Sequence, residues 1–226
     1  MPDPSDAELI SSFLLDLYGG DPFARVHRAS NEHREAHGPA CEVYPSEPAK
    51  MRLLAGLVRA AGARRILEIG CGLGYSALWL AEAAGPDGRV ETIDRFPEHV
   101  ALARRYAEEA GLASRLNVIE GEGTDVLATL TGPYDLIHDD GWFAHEPPYL
   151  DTMVSLLRPG GLLLISNFFL LEQAVTGRTT MDWNEFAGPD WAESVKAYAK
   201  KLVSRRDLHV SFMMRPSWVA LAVKTP

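Results

Sequence analysis

An α/β fold with a largely parallel, Rossmann-like sheet is predicted by three observations on this 226-residue chain. From Arg65 onward, apolar runs of strand length alternate with segments of helical period, the pattern of a parallel sheet built from crossover units. The first run, Arg65 to Ile69, passes directly into a turn with glycine at every second position, Gly70, Gly72 and Gly74, at the mouth of a helix. The next run, Val90 to Ile93, ends in Asp94, 24 residues beyond Gly70, where an acid can accept hydrogen bonds from both hydroxyls of a ribose.

Each element has its own signal. Ser5 with Glu8 forms a capping box for a first helix reaching Tyr18, where Gly19-Gly20 stops it. Residues 21–48, rich in Pro, His and charge, read as a lid or flank, and a second helix from Ala49 to Ala61 has one apolar face. The expected order is then strand 65–69, helix 75–84, strand 89–94, helix 97–110, strand 115–120, helix 124–130, strand 134–139 and helix 147–157. Pro159 and Gly160-Gly161 turn the chain into strand 162–166. Residues 167–189 read as a long loop, followed by a helix from Asp190 to Val203. Two runs, 208–214 and 218–224, flank Arg-Pro-Ser as a closing antiparallel hairpin. The division expected is residues 1–48 as helix and flank, and 49–226 as the cofactor-binding domain.

Composition narrows the partners. The net charge is −9 and the basic residues occur only as short pairs, which argues against nucleic acid. Cys41 and Cys71 are the two cysteines, and Cys71 lies inside the glycine turn, so a stabilising disulfide is not expected. No apolar run reaches the length of a membrane span, and the acidic start lacks the apolar region of a signal peptide, so no membrane partner and a cytoplasmic location are expected. Leu9, Phe13, Leu14 and Leu17 in the first helix predict a homodimer through that helix.

The glycine turn selects among cofactors. The third glycine of a pyrophosphate-binding GxGxxG falls at Tyr75 and is missing, so nothing cradles a diphosphate. Glu68, just before the turn, suits a cationic cofactor and would repel a diphosphate. Both favour S-adenosylmethionine over NAD.

Six stretches in order, LEIGCGLGYS at 67–76, TID at 92–94, VIEGEG at 118–123, YDLIHDD at 134–140, LLRPGGLLLISN at 156–167 and a final hairpin ending in lysine, resemble the small class I O-methyltransferases, most closely the catechol and caffeoyl-CoA branch. The resemblance spans about residues 43–226. It implies a seven-stranded, mostly parallel sheet with a C-terminal antiparallel hairpin, S-adenosylmethionine lying over the carboxyl ends of the first strands, and methyl transfer to a small aromatic hydroxyl compound. It also implies the cofactor-binding positions. Gly70 and Gly72 would line the methionine part, Ser76 would bind its carboxylate, and Ser46 would add a contact there. Asp94, with Arg95 beside it, would hold the ribose. Gly121, Glu122 and Gly123 would meet the adenine edge, with Asp140 close by, and Trp142 would either pack on the ring or fill the core.

Two departures bear on mechanism. In the metal-dependent branch, an Asp after the fourth strand and an Asp-Asn pair after the fifth hold magnesium, and a lysine three residues after the first Asp helps remove the substrate proton. Asp140 and Asn167 match, but Ser166 replaces the second Asp and Phe143 the lysine. The expectation is therefore catalysis without metal; were an Mg²⁺ held, Asp140 and Asn167 would hold it. Asp139 should point to the opposite face from Asp140. A phenol must still lose its proton, and a histidine near 6.5 is a better match than an Asp near 3.9. His145, five residues after Asp140 in a loop above the strand ends, is the expected base, with Asp140 as its catalytic companion. His138 is expected within the sheet, and His33 and His37, at i and i+4, on a solvated helix face. Phe143, Tyr149, Phe168, Phe169 and Trp183 are expected near the acceptor, with core packing the alternative for Phe168 and Phe169. Other readings stay open: a protein that binds the cofactor without turning over, or a methyltransferase acting on an amine or carboxylate.

Overall fold

The computed structural model describes residues 6–141, 147–179, 181–213 and 218–226. In chain order its elements are α1 (Asp6–Leu17), α2 (Ala24–His37), a 3-10 turn (Pro39–Cys41), α3 (Pro48–Ala61), β1 (Arg65–Ile69), α4 (Tyr75–Ala83), β2 (Arg89–Asp94), α5 (Pro97–Glu109), β3 (Leu116–Glu120), α6 (Gly123–Thr129), β4 (Tyr134–Asp139) and α7 (Pro147–Leu156). There follow β5 (Leu157–Ile165), α8 (Phe169–Thr176), α9 (Trp183–Ala187), α10 (Trp191–Ser204), β6 (Leu208–Met213) and β7 (Val219–Lys224). The seven strands form one sheet in the order β3-β2-β1-β4-β5-β7-β6. Pairs among β1 to β5 are parallel, and β7 runs antiparallel to both β5 and β6, which is the expected closing hairpin.

Strand alternation divides the core in two. Ile66, Val90, Leu136 and Leu164 point to one face, where Met51 and Leu54 of α3 and Leu78 and Leu80 of α4 cover them. Leu67, Ile93, Ile137, Leu163 and Ile165 point to the other, beneath Leu150 and Met153 of α7 and Val195 and Leu202 of α10. A sheet covered on both faces needs strands that are apolar throughout, which is why the β1 and β4 runs show little alternation.

Between β1 and β4, register is pinned by a buried-edge carboxylate. Asp135 Oδ2 accepts from the backbone N–H of Arg64 at 2.9 Å and of Arg65 at 2.8 Å, and Oδ1 accepts from Arg158 Nε at 2.7 Å. Arg158 belongs to the start of β5, where Leu157 pairs with Tyr134 before an irregularity; regular pairing resumes at Leu162 opposite Leu136.

Four elements depart from expectation. Strand β5 begins at Leu157 and takes in Pro159 and Gly160-Gly161, the residues expected as the turn before it, because Leu157 already pairs with Tyr134 and the extra residues are absorbed as an irregularity. The flank at 21–48 contains α2, whose sequence ARVHRASNEHREAH buries only Val26 and Ser30 and so carries no apolar stripe to read. The expected loop at 167–189 contains α8 and α9. No side chain caps α8, so nothing announced its start. By contrast, Asp182 caps α9 by accepting from the N–H groups of Asn184 and Glu185, a signal present in the sequence. The Ser5 cap and the residues of the 214–217 turn lie outside the described residues.

Candidate active site

At the carboxyl ends of β1, β2, β3 and β4 the chain leaves a groove of about 810 Å³. A parallel sheet opens such a crevice where neighbouring crossovers diverge to opposite faces, here between β1 and β4. Gly70, at φ +90°, makes the bend possible: a Cβ there would lie 3.0 Å from the backbone of Asp140. Gly72, at φ +51°, has nothing within 4 Å of where a Cβ would be, and its N–H donates to Asp94 Oδ2 at 2.8 Å.

Asp94 is held on both oxygens. Oδ1 accepts from the Phe96 N–H at 3.0 Å and lies 3.2 Å from Nδ1 of the buried His99. It lines the groove with Arg95, Ser76, Gly121, Glu122 and Gly123. Arg95 bridges two walls, pairing with Glu42 of the segment before α3 and, at 3.5 Å, with Glu122 after β3. Ser76 lies in the first turn of α4, where free N–H groups and the helix dipole favour an anion.

At the other end stand Asp140, Asn167 and Ser46. Asp140 Oδ2 accepts from Ser46 Oγ at 3.4 Å, and Asn167 Nδ2 lies 3.4 Å from Oδ1. Lys50 of α3 brings its ammonium to 3.8 Å from Oδ1, with only 13% of its side chain exposed. Burial pushes the Asp140 carboxyl up, but Lys50 foremost, then His138, Ser166 and Ser46, pull it back, and the net position is below the usual carboxylate range. Asp139 does face the opposite way. Its Oδ1 accepts from the Gly141 N–H at 3.1 Å and the Tyr149 hydroxyl at 3.2 Å, and burial pushes it up to about 6 against those bonds. Tyr149, Phe169 and Trp183 form an aromatic wall of the groove, with the Phe169 and Trp183 ring centroids 6.0 Å apart.

Two expectations are corrected. Glu68 does not open onto the groove: it is fully buried, accepts from Thr92 Oγ1 at 2.7 Å, and meets His138 Nδ1 at 3.1 Å. The cause is strand parity, since Glu68 shares a face with Ile66 beneath α3 and α4, and Thr92 and His138 are its register partners on either side. Phe168 is likewise in the core, fully buried against Phe212 at 5.1 Å. His138 lies within the sheet as expected, and Ser166 Oγ stands 2.9 Å from its Nε2. Trp142, Phe143 and His145 lie outside the described residues. Sequence reasoning missed Lys50 and His99, which reach the site from α3 and α5 and carry no local motif.

Comparison with known proteins agrees with this geometry. A family model described as O-methyltransferase matches residues 31–186, which include β1 to β5 and the whole groove floor. The chain belongs to the O-methyltransferase family. As a class I O-methyltransferase it is S-adenosylmethionine-dependent. Among its relatives is a catechol O-methyltransferase of Mycobacterium tuberculosis, 36% identical over 168 residues that cover 74% of this chain and 73% of that one. A catechol O-methyltransferase of Niastella koreensis is 35% identical over 167 residues, 71% and 72% of the two chains. Among solved structures, the O-methyltransferase TomG of Streptomyces achromogenes, involved in tomaymycin synthesis and crystallised with S-adenosylmethionine, superposes with a TM-score of 0.73 at 30% identity over 89% of each chain. An O-methyltransferase of Bacillus cereus in complex with S-adenosylhomocysteine shares the fold, with a TM-score of 0.78 at 21% identity over 96% of this chain and 97% of that one.

Proposed function

We propose that this O-methyltransferase methylates a hydroxyl of a small aromatic molecule without a divalent ion. The observation that supports the reading is one groove lined by Asp94 and Ser76, whose chemistry suits a ribose and a carboxylate, by the aromatic wall and by the Asp140–Asn167–Ser46 cluster. Asp94, oriented by His99 and the Gly72 and Phe96 N–H groups, would hold the ribose. Ser76 and the start of α4 would take the cofactor carboxylate, Gly70 and Gly72 would flank the methionine chain, and Gly121, Glu122 and Gly123 would meet the adenine edge. The bound cofactor supplies an electrophilic methyl group. Tyr149, Phe169 and Trp183 would align a flat acceptor, and alignment alone can contribute about 7–11 kcal/mol in favourable cases. His145 is the proposed base, with Asp140 beside it.

The donor set argues against a metal. Among the described residues Asp140 is the one carboxylate of this cluster, beside the carboxamide of Asn167, and Lys50 already brings positive charge to within 3.8 Å of it. The Ser166 hydroxyl, standing where the branch has its second Asp, is engaged by His138. A hard ion that prefers several oxygen donors in a near-octahedral shell does not fit these residues.

A homocysteine-release assay over phenols, catechols, amines and carboxylates tests the reading. Acceptor-dependent release is expected with a phenol or catechol; release with amines or carboxylates alone would reassign the acceptor. Binding of S-adenosylhomocysteine with no release from any of them would favour the non-catalytic reading. A homodimer is also proposed, because Leu9, Ile10, Phe13 and Leu17 of α1 are each more than half exposed. Light scattering at tens of micromolar should give twice the 24.8 kDa chain mass, and a monomer would refute it.

A further inference from the structure

Away from the groove's cofactor and acceptor positions, α2 carries His33 and His37 one helical turn apart, and Glu98 in the first turn of α5 faces them. One ligand atom from each of the three lies within 4.8 Å of the other two. Two imidazoles at i and i+4 form a ready chelate, and a carboxylate from a second element completes three donors around one point. His37 is already oriented as a ligand, because its Nδ1 lies 2.9 Å from the His33 carbonyl oxygen, and donating that N–H leaves Nε2 with a free lone pair. Glu98 makes no ion pair with any Lys or Arg among the described residues, so no basic side chain there competes with an ion for its carboxylate.

We propose that His33, His37 and Glu98 bind a divalent transition-metal ion, of which Zn²⁺ is the representative, at a site separate from the methyl-transfer chemistry. Two imidazole nitrogens and one carboxylate oxygen suit Zn²⁺ and its neighbours in the series and do not suit Mg²⁺ or Ca²⁺, which prefer all-oxygen shells. Water completes the coordination, because His37 and Glu98 are exposed and His33 is half-buried. An ion here would tie α2 to the start of α5. The link leads towards the ribose position, since the His33 ring meets the His99 ring edge-on at 5.4 Å and His99 in turn contacts Asp94.

Calorimetric titration of the full chain with Zn²⁺ tests the site. Cys41 is a partly exposed thiol that could bind zinc on its own account, so Cys41→Ser serves as the background. One saturable site per chain is expected in that background. His37→Ala and Glu98→Gln, both surface changes, should each weaken it by about tenfold or more. Absence of saturable binding in the Cys41→Ser protein would overturn the proposal. So would affinity unchanged in His37→Ala.

Discussion

Lys50 sets the electrostatics around Asp140, a carboxylate that lines the groove. Its sequence context, a lysine in the first turn of an amphipathic helix, is ordinary, and only folding brings it to 3.8 Å from Asp140. There it balances a carboxylate that would otherwise be costly to keep charged in a half-enclosed pocket. Lys50 is a positioning residue: it holds Asp140 ionised and aimed, and Asp140 faces the groove. Lys50→Met should therefore lower kcat by about tenfold, roughly 1.4 kcal/mol of barrier. The Kd for S-adenosylhomocysteine should change by less, because Lys50 makes no hydrogen bond or ion pair with Asp94 or Ser76, the residues proposed to carry most of the cofactor's binding. Equal loss of kcat and cofactor affinity would point to general unfolding of the groove, and unchanged kcat would remove Lys50 from the account. Glu68 illustrates the converse. Its position beside the glycine turn suggested a cofactor contact, yet the parity of β1 turns it inward to Thr92 and His138.

At the level of elements, the junction of β1, β4 and β5 rests on Asp135. Burial raises its carboxyl, but the Arg65 N–H, Arg158 and the Arg64 N–H outweigh burial, and the net position is below the usual value of 3.8. A carboxyl depressed in the folded state contributes stability that is fully present above its unfolded pKa and is lost as pH falls through the folded one. Thermal melts should thus show the Asp135→Asn protein less stable than wild type at pH 7, by about 1.5–3 kcal/mol for hydrogen bonds to a charged group. The gap should begin to narrow as pH falls below about 4, where the carboxyl of the unfolded chain takes up its proton, and close as pH passes through the lower folded value; a gap that stays constant to pH 3 would contradict this role. Elements of the parallel sheet were legible in the sequence because burial on both faces leaves continuous apolar runs and the glycine turn is local. α2 was not, since it buries little, and neither was α8, which lacks a capping side chain. The same distinction runs through the site. Gly70, Gly72, Asp94 and Asp140 sit in or just after strands, Ser76 opens the helix that follows the glycine turn, and all five line the groove, whereas Lys50 comes from a helix whose approach to Asp140 is set by tertiary packing, and His99 reaches back to Asp94 from the first turn of α5 without a motif of its own.

Across the whole molecule, the sheet order sets the function. Crossovers leaving β1 and β4 for opposite faces open the groove, α3 and the segment before it close one side, and α7, α8 and α9 supply the aromatic wall on the other. Among the described residues no helix is long and apolar enough to cross a membrane. The same arrangement places the Lys50 ammonium beside Asp140, with Ser166 where the metal-dependent branch has its second acid, and this donor set is the ground for the proposal that methyl transfer needs no divalent ion. The direct measurement is turnover with a productive phenol or catechol after exhaustive EDTA treatment, with and without added Mg²⁺. The two rates should agree within a few-fold, while activity abolished by EDTA and restored by Mg²⁺ would contradict metal-independent transfer.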